Sequence, residues 1–157
     1  MSWFPLFVNL EGKPVALYGA GHIAARRLGG LLRFGARVTV TAPEISEEVR
    51  ALAREYENQV ELIAQRYQPD SIPDAVLVLS ATDDPDADRQ IYEECRSKGI
   101  PVNIASNQAL CDFYFPALVE QDDIVAGISS GGVDHKRVKH VSAAIRAALT
   151  VEKENDG

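Results

Sequence analysis

From Gly12 to Ser106 short β-branched runs alternate with helical stretches, and this alternation restricts the fold more than any other feature of the chain. "PVALY", residues 14–18, is an apolar run that ends at the glycine turn Gly19-Ala20-Gly21. Ile23, Ala24, Leu28, Leu31 and Leu32 then recur at helical spacing, and Gly35 closes that helix. "RVTVTAP" from Arg37 reads as a second strand, stopped by Pro43. Ser46 caps a helix reaching about Tyr56, and "QVELIAQ" is a third strand. "DAVLVLSATDD" holds four consecutive apolar residues, Val76 to Leu79, as a strand buried on both faces would. A helix with Pro85 in its first turn follows and runs to Lys98, ended by Gly99. "IPVNIAS" is a fifth strand. Strand and helix in strict alternation specify an α/β fold, a Rossmann-like doubly wound parallel sheet with helices on both faces.

After Asn107 the pattern changes. Two strands are expected, about 113–120 and 123–129, joined at Gln121-Asp122, then a helix over 136–150 with Val138, Val141, Ala144, Ile145 and Ala148 on one face. The expected organisation is a dinucleotide-binding domain over 1–112, a small C-terminal α+β dimerisation segment over 113–150 and a frayed tail over 151–157. A two-strand, one-helix unit is too small to bury a core alone, so it must pack on other structure. Phe115, Leu118 and Val119 are the apolar positions expected to lie open there.

The glycine loop has the context that a dinucleotide fingerprint requires, after a strand and opening a helix. Gly19 permits the tight turn, Gly21 lets a pyrophosphate approach the backbone, and Ala24 stands where a third glycine often lies. The amides at the helix start favour an anion. The ribose-binding acid belongs at the end of the second strand, where Glu44 is the nearest carboxylate. No arginine follows that strand before Arg50, which favours NAD over NADP.

The formal net charge of −7 argues against nucleic acid as a general partner. No apolar stretch is long enough to span a membrane, and the N-terminus lacks the basic start and apolar core of a signal peptide. Cys95 and Cys111 form no CxxC pair, and His22, His135 and His140 show no zinc spacing. The expectation is a cytoplasmic protein with reduced thiols and no metal site.

Several segments taken together, "FPLFVNLEGKPVALYGAGHIAARRLGGLL", "FGARVTVTAPEIS", "SATDDPDADRQIYEECRSKGIPVNIAS", "LCDFYFPALV" and "GISSGG", resemble the precorrin-2 dehydrogenase family, the oxidising module of siroheme synthase. The resemblance runs from Phe4 to about Gly132. It implies NAD-dependent oxidation of precorrin-2 to sirohydrochlorin, with ferrous iron inserted by some members, and a homodimer exchanging residues 113–150. It also implies that His22, Ile23, Pro43 and Glu44 touch the dinucleotide, and that Thr82 and Asn103 face the same crevice.

Two departures stand out. Where the family carries a catalytic aspartate after the fifth strand, this chain has Ser106, with Asp112 the next acid along. A serine hydroxyl is a poor general base without a partner, so iron insertion is doubtful. The family's Ser-Pro after Gly-Gly is replaced here by Val133-Asp134-His135-Lys136-Arg137. The polycarboxylate substrate calls for a basic surface, and Ser130, Gly131, Gly132, His135 and Lys136 are the substrate-binding candidates. Two readings of function follow: the dehydrogenase, or a weakly catalytic or non-catalytic module that holds NAD or a tetrapyrrole for a partner enzyme.

Overall fold

The computed structural model describes residues 3–155, and of residues 151–155 the backbone alone. It divides into two compact units, one formed by residues 8–113 and the other by residues up to 7 together with those from 114 onward.

In the larger unit five parallel strands, β1 (Pro14–Tyr18), β2 (Arg37–Thr41), β3 (Val60–Ile63), β4 (Leu77–Ser80) and β5 (Val102–Ile104), lie in the order β3-β2-β1-β4-β5. The helices are α1 (His22–Arg33), α2 (Glu47–Glu55) and α3 (Pro85–Lys98). The strand order reverses between β1 and β4, the switch point at which open parallel sheets bind ligands beyond the strands' carboxyl ends. The register is continuous across this point, with Ala16 beside Val78 and Tyr18 beside Ser80.

The pleat of each strand divides the core. Ala16, Tyr18, Val78, Val102 and Ile104 pack with Ile91 and Cys95 of α3 and with Ile72. Val15 and Leu17 alternate with them and are equally buried, and α1 and α2 pack against each other. Caps bound α2 and α3. Ser46 Oγ accepts from Val49 N (3.3 Å), Asp84 Oδ1 from Asp86 N and Ala87 N (3.0 and 3.2 Å), and Gly99 closes α3 in the left-handed region. A 3-10 turn at Gln108–Leu110, absent from the sequence reading, starts from Asn107, whose Oδ1 accepts from Ala109 N (3.0 Å).

The smaller unit holds an antiparallel hairpin, β6 (Ala117–Gln121) and β7 (Ile124–Ile128), against which α4 (His135–Asn155) packs. Here the structure corrects four expectations. The first strand begins at Ala117, immediately after Pro116, and not at 113. Helix α4 starts at His135, where Asp134 Oδ1 accepts from Arg137 N (2.8 Å), and its backbone stays helical to Asn155. Tail residues 151–155 are therefore helical, and 156–157 lie outside the described residues. Val119 is fully buried, while Phe115 and Leu118 are partly covered. The most open apolar side chains of this unit are instead Phe4, Leu6, Phe7 and Val133, with Phe4 87% exposed.

Candidate functional site

The site is built from three loops at the carboxyl ends of the central strands. In the first, Gly19 has φ +92°, and a Cβ there would lie 2.3 Å from the carbonyl oxygen of Ala81 in the loop after β4. Gly21 is the N-cap of α1 and supplies no side-chain acceptor to its first amides. A Cβ on Gly21 would meet nothing within 4 Å. Unclaimed helix-start amides with open space before them suit an anion, and no acidic residue lies in the first turn to compete. Ala24 is fully buried, and its small side chain lets α1 lie close to the sheet, while Ile23 presents an exposed apolar side chain.

The second loop follows β2. It is tied to the first by Gly19 N donating to Thr41 O (2.9 Å) and Ser46 N to Ala20 O (3.2 Å). Pro43 and Glu44 are exposed on it. Arg50 Nε donates to Ile45 O (3.3 Å), so a guanidinium also lies against this loop. His22 is largely exposed, and its Nδ1–H donates to Glu48 Oε2 (3.1 Å), joining the starts of α1 and α2.

The third group lies at the ends of β4 and β5. Asn103 is 3% exposed. Its Nδ2 donates to Phe113 O (2.7 Å), while its Oδ1 has no protein partner. A buried acceptor left unpaired is costly, so this atom is suited to a donor on a bound ligand. Beside it, Asp88 of α3 is 4% exposed and accepts from three hydroxyls. Ser80 and Thr82 reach its Oδ1 (2.5 and 2.8 Å), and Ser106 reaches its Oδ2 (2.5 Å). Thr82 is thus turned inward onto Asp88, whereas Ser106 remains exposed on the loop after β5.

Residues 6–117 match the family model for NAD(P)-binding (NAD_binding_7). The chain belongs to this NAD(P)-binding family. Among its relatives, siroheme synthase of Psychrobacter sp. (strain PRwf-1) is 39% identical over 132 residues, 84% of this chain and 27% of that protein. "Probable multifunctional siroheme biosynthesis protein HemA" of Ruminiclostridium josui is 40% identical over 147 residues, 91% of this chain and 28% of that protein. The chain therefore spans just over a quarter of the length of these relatives. The solved structure of "SirC, precorrin-2 dehydrogenase" shares the fold with a TM-score of 0.75 at 23% identity, over 93% of this chain and 71% of that one.

As a member of the NAD(P)-binding family, the chain presents residues that fit the dinucleotide: an open helix start at Gly21, a glycine-only approach at Gly19 and an unpaired acceptor at Asn103. Two neighbouring groups, Tyr18 and Cys111, hold their protons at neutral pH. Burial pushes the Tyr18 hydroxyl up to about 12 and raises the Cys111 thiol as well.

Asp112 lies elsewhere. Its Oδ2 accepts from Val102 N (3.0 Å) and its Oδ1 from Arg96 (3.4 Å), at the start of β5 and not at the end that carries Ser106. Asp88, which the sequence reading did not select, is the carboxylate in contact with Ser106. Its signal was present: Asp88, Ile91 and Cys95 fall on the buried stripe of α3, where a charged residue needs a reason.

The substrate-binding candidates belong to the smaller unit. Gly131 and Gly132 have φ +65° and +78°. Ser129 Oγ accepts from Gly131 N (3.0 Å) and Ser130 Oγ from Asp134 N (2.9 Å), fixing the turn into α4. His135 and Lys136 are exposed at the start of that helix.

Proposed function

We propose that this chain binds NAD across the Gly19–Ala24 loop and oxidises precorrin-2 to sirohydrochlorin. The observation that carries the reading is the 40% identity over 147 residues to a siroheme biosynthesis protein, spanning a glycine loop open to an anion. Gly19, Gly21, His22, Ile23 and Ala24 form the pyrophosphate loop in this reading. Pro43 and Glu44 flank the adenosine ribose, and Glu44 would accept from its hydroxyls, which selects NAD over NADP. Asn103 Oδ1 accepts from the cofactor's nicotinamide end, and Thr82 braces the crevice wall through Asp88.

Bound NAD supplies the hydride acceptor. The protein must hold the tetrapyrrole against it and take up the proton that remains. Ser130, Gly131, Gly132, His135 and Lys136 receive the substrate's carboxylates, with the exposed Arg137 and Lys139 adding charge. We further propose a homodimer formed through residues 113–150 and the open apolar arm at Phe4, Leu6 and Phe7. Both cysteines are free, which fits action in a reducing cytoplasm. No helix of the described residues is long and apolar enough to cross a membrane.

The test is anaerobic incubation of the purified protein with precorrin-2 and either NAD or NADP. NADH absorbance should rise with sirohydrochlorin formation, faster with NAD. NAD binding without turnover would support the second reading, a module that presents its ligands to a partner enzyme. The observation favouring that reading is Ser106, a hydroxyl at the position where the resemblance expects an acid. Iron insertion by the wild-type chain should be poor for the same reason.

A further inference from the structure

Three hydroxyls cluster on one buried carboxylate at the carboxyl ends of β4 and β5, and the bond from exposed Ser106 goes beyond what satisfying the buried Ser80 hydroxyl requires. A buried carboxylate is expensive to desolvate, and an apolar residue at position 88 would extend the stripe of Ile91 and Cys95. Asp88 is nevertheless present, and Ser80 and Thr82 saturate its Oδ1 from the end of β4. Its Oδ2 is reached by the hydroxyl of Ser106, a residue exposed on the loop that follows Asn103. The hydrogen of Ser106 thus points inward at a carboxylate, while its oxygen lone pairs are available on the outer side. A hydroxyl backed by a carboxylate accepts a proton far more readily than one alone.

We propose that Ser106 and Asp88 form a proton relay for the tetrapyrrole oxidation, with Ser106 Oγ the contact to the substrate and Asp88 the positioning residue behind it. The inference rests on the dehydrogenase reading. Removing two hydrogens from the substrate as hydride and proton leaves one proton to the protein. That proton forms a new O–H bond at Ser106 Oγ as the substrate's bond to it breaks and its electron pair completes the new double bond. The original Ser106 O–H breaks in concert, and its hydrogen passes to Asp88 Oδ2, giving a neutral carboxylic acid. After product leaves, the steps reverse through Ser106 to water, and no other redox partner is needed. Ser80 and Thr82 hold the carboxylate so that Oδ2 faces Ser106.

The experiment compares wild type, Asp88→Asn, Ser106→Ala and the exchange Asp88→Asn/Ser106→Asp in the full chain. It measures kcat and KM for precorrin-2, NAD affinity by calorimetry and the melting temperature. Each single variant should lose roughly 100- to 1,000-fold in kcat, with KM and NAD affinity within about twofold of wild type. The exchange moves the carboxylate outward to the reacting side and leaves an amide behind it. It should recover at least about tenfold of the loss. If Asp88→Asn fails to fold, Ser106→Ala, at an exposed position, still decides the matter. An active wild type with undiminished kcat in Ser106→Ala overturns the relay alone. Single variants that lose NAD affinity or melting temperature in step with kcat, with no recovery on exchange, make Asp88 purely structural and also overturn it. A wild type that binds NAD yet leaves precorrin-2 unoxidised overturns the dehydrogenase reading, and the relay with it.

Discussion

Gly19 and Ala81 approach so closely that a methyl group on the first would sit 2.3 Å from the carbonyl oxygen of the second. The contact lies at the switch point of the sheet, where the loops after β1 and β4 meet. Gly19→Ala adds both this collision and the strain of φ +92° on a residue with a side chain. It is expected to cost on the order of 3 kcal/mol, read as a lower urea midpoint, and to abolish NAD binding by calorimetry.

Gly21 behaves in the opposite way. Its φ of −85° suits any residue, and its surroundings are open. Gly21→Asp places a good N-cap on α1, so stability should hold or rise by about 0.5 kcal/mol. The new carboxylate would occupy the anion position, and NAD affinity should fall at least about 100-fold. Equal affinity in variant and wild type would move the pyrophosphate away from this loop.

Glu94 gives the larger unit a defined acid sensitivity. It is 7% exposed and accepts from Tyr67 Oη (2.6 Å), Asp70 N (3.0 Å), Ile72 N (2.9 Å) and Lys98 Nζ (2.7 Å). Burial pushes its carboxyl upward, but the bonds from Lys98, Tyr67 and Ile72 and the charge of Lys98 outweigh this and hold it below the ordinary value. A lowered folded-state value means stabilisation that is complete above the unfolded carboxyl range, about pH 4.3, and is lost as pH falls through the folded value. Glu94→Gln should flatten the acid limb of stability measured by urea titration. Glu94→Ala, which strands the Ile72 amide and the Tyr67 hydroxyl, should cost about 3 kcal/mol at neutral pH.

Ser106→Asp alone puts a second carboxylate against Asp88 Oδ2. Two carboxylates at this separation cannot both ionise freely. Stability at neutral pH should fall by on the order of 2 kcal/mol, and adding Asp88→Asn should restore it. Additive losses in chemical denaturation would mean that the two side chains do not meet.

The apolar arm provides a test of assembly. Light scattering should give the mass of a dimer at micromolar concentration, and Phe4→Asp/Phe7→Asp should shift the mass toward a monomer. A monomeric wild type would exclude the proposed interface.

The glycine loop, the strand alternation, the Ser46 cap, Pro85 in the first turn of α3 and the Gly99 stop were legible in sequence, because each answers to local backbone chemistry. Only glycine accepts the conformation at position 19, and Ser46 stands three residues from the amide it serves. Asp88 was not legible as part of a site. Its three partners stand at positions 80, 82 and 106, and only the docking of α3 on the carboxyl ends of β4 and β5 brings them together. Asp112 misled for the complementary reason. It is close to Ser106 along the chain, but the chain reverses through the Gln108–Leu110 turn and returns it to the start of β5. The beginning of β6 was misplaced because aromatic residues 113–115 favour a strand, while Pro116 withholds a ladder amide and the Phe113 carbonyl is taken by Asn103.

That reversal has a consequence for how the chain behaves at high concentration. Strand β5 is the outer edge of the sheet, and an uncovered edge recruits strands from other molecules. Here the outward-facing groups of Val102 are both occupied, its carbonyl by Asp112 N (2.8 Å) and its amide by Asp112 Oδ2. Those of Ile104 are both met by Cys111, whose Sγ accepts from the amide and donates to the carbonyl at 3.3 Å. Two consecutive residues therefore close the rim of the sheet to intermolecular β-pairing. Cys111→Ala/Asp112→Ala would strip the side-chain partners from the Val102 and Ile104 amides, while Asp112 N and Asn107 N would still hold the two carbonyls, so the rim would open to intermolecular pairing only at its donors.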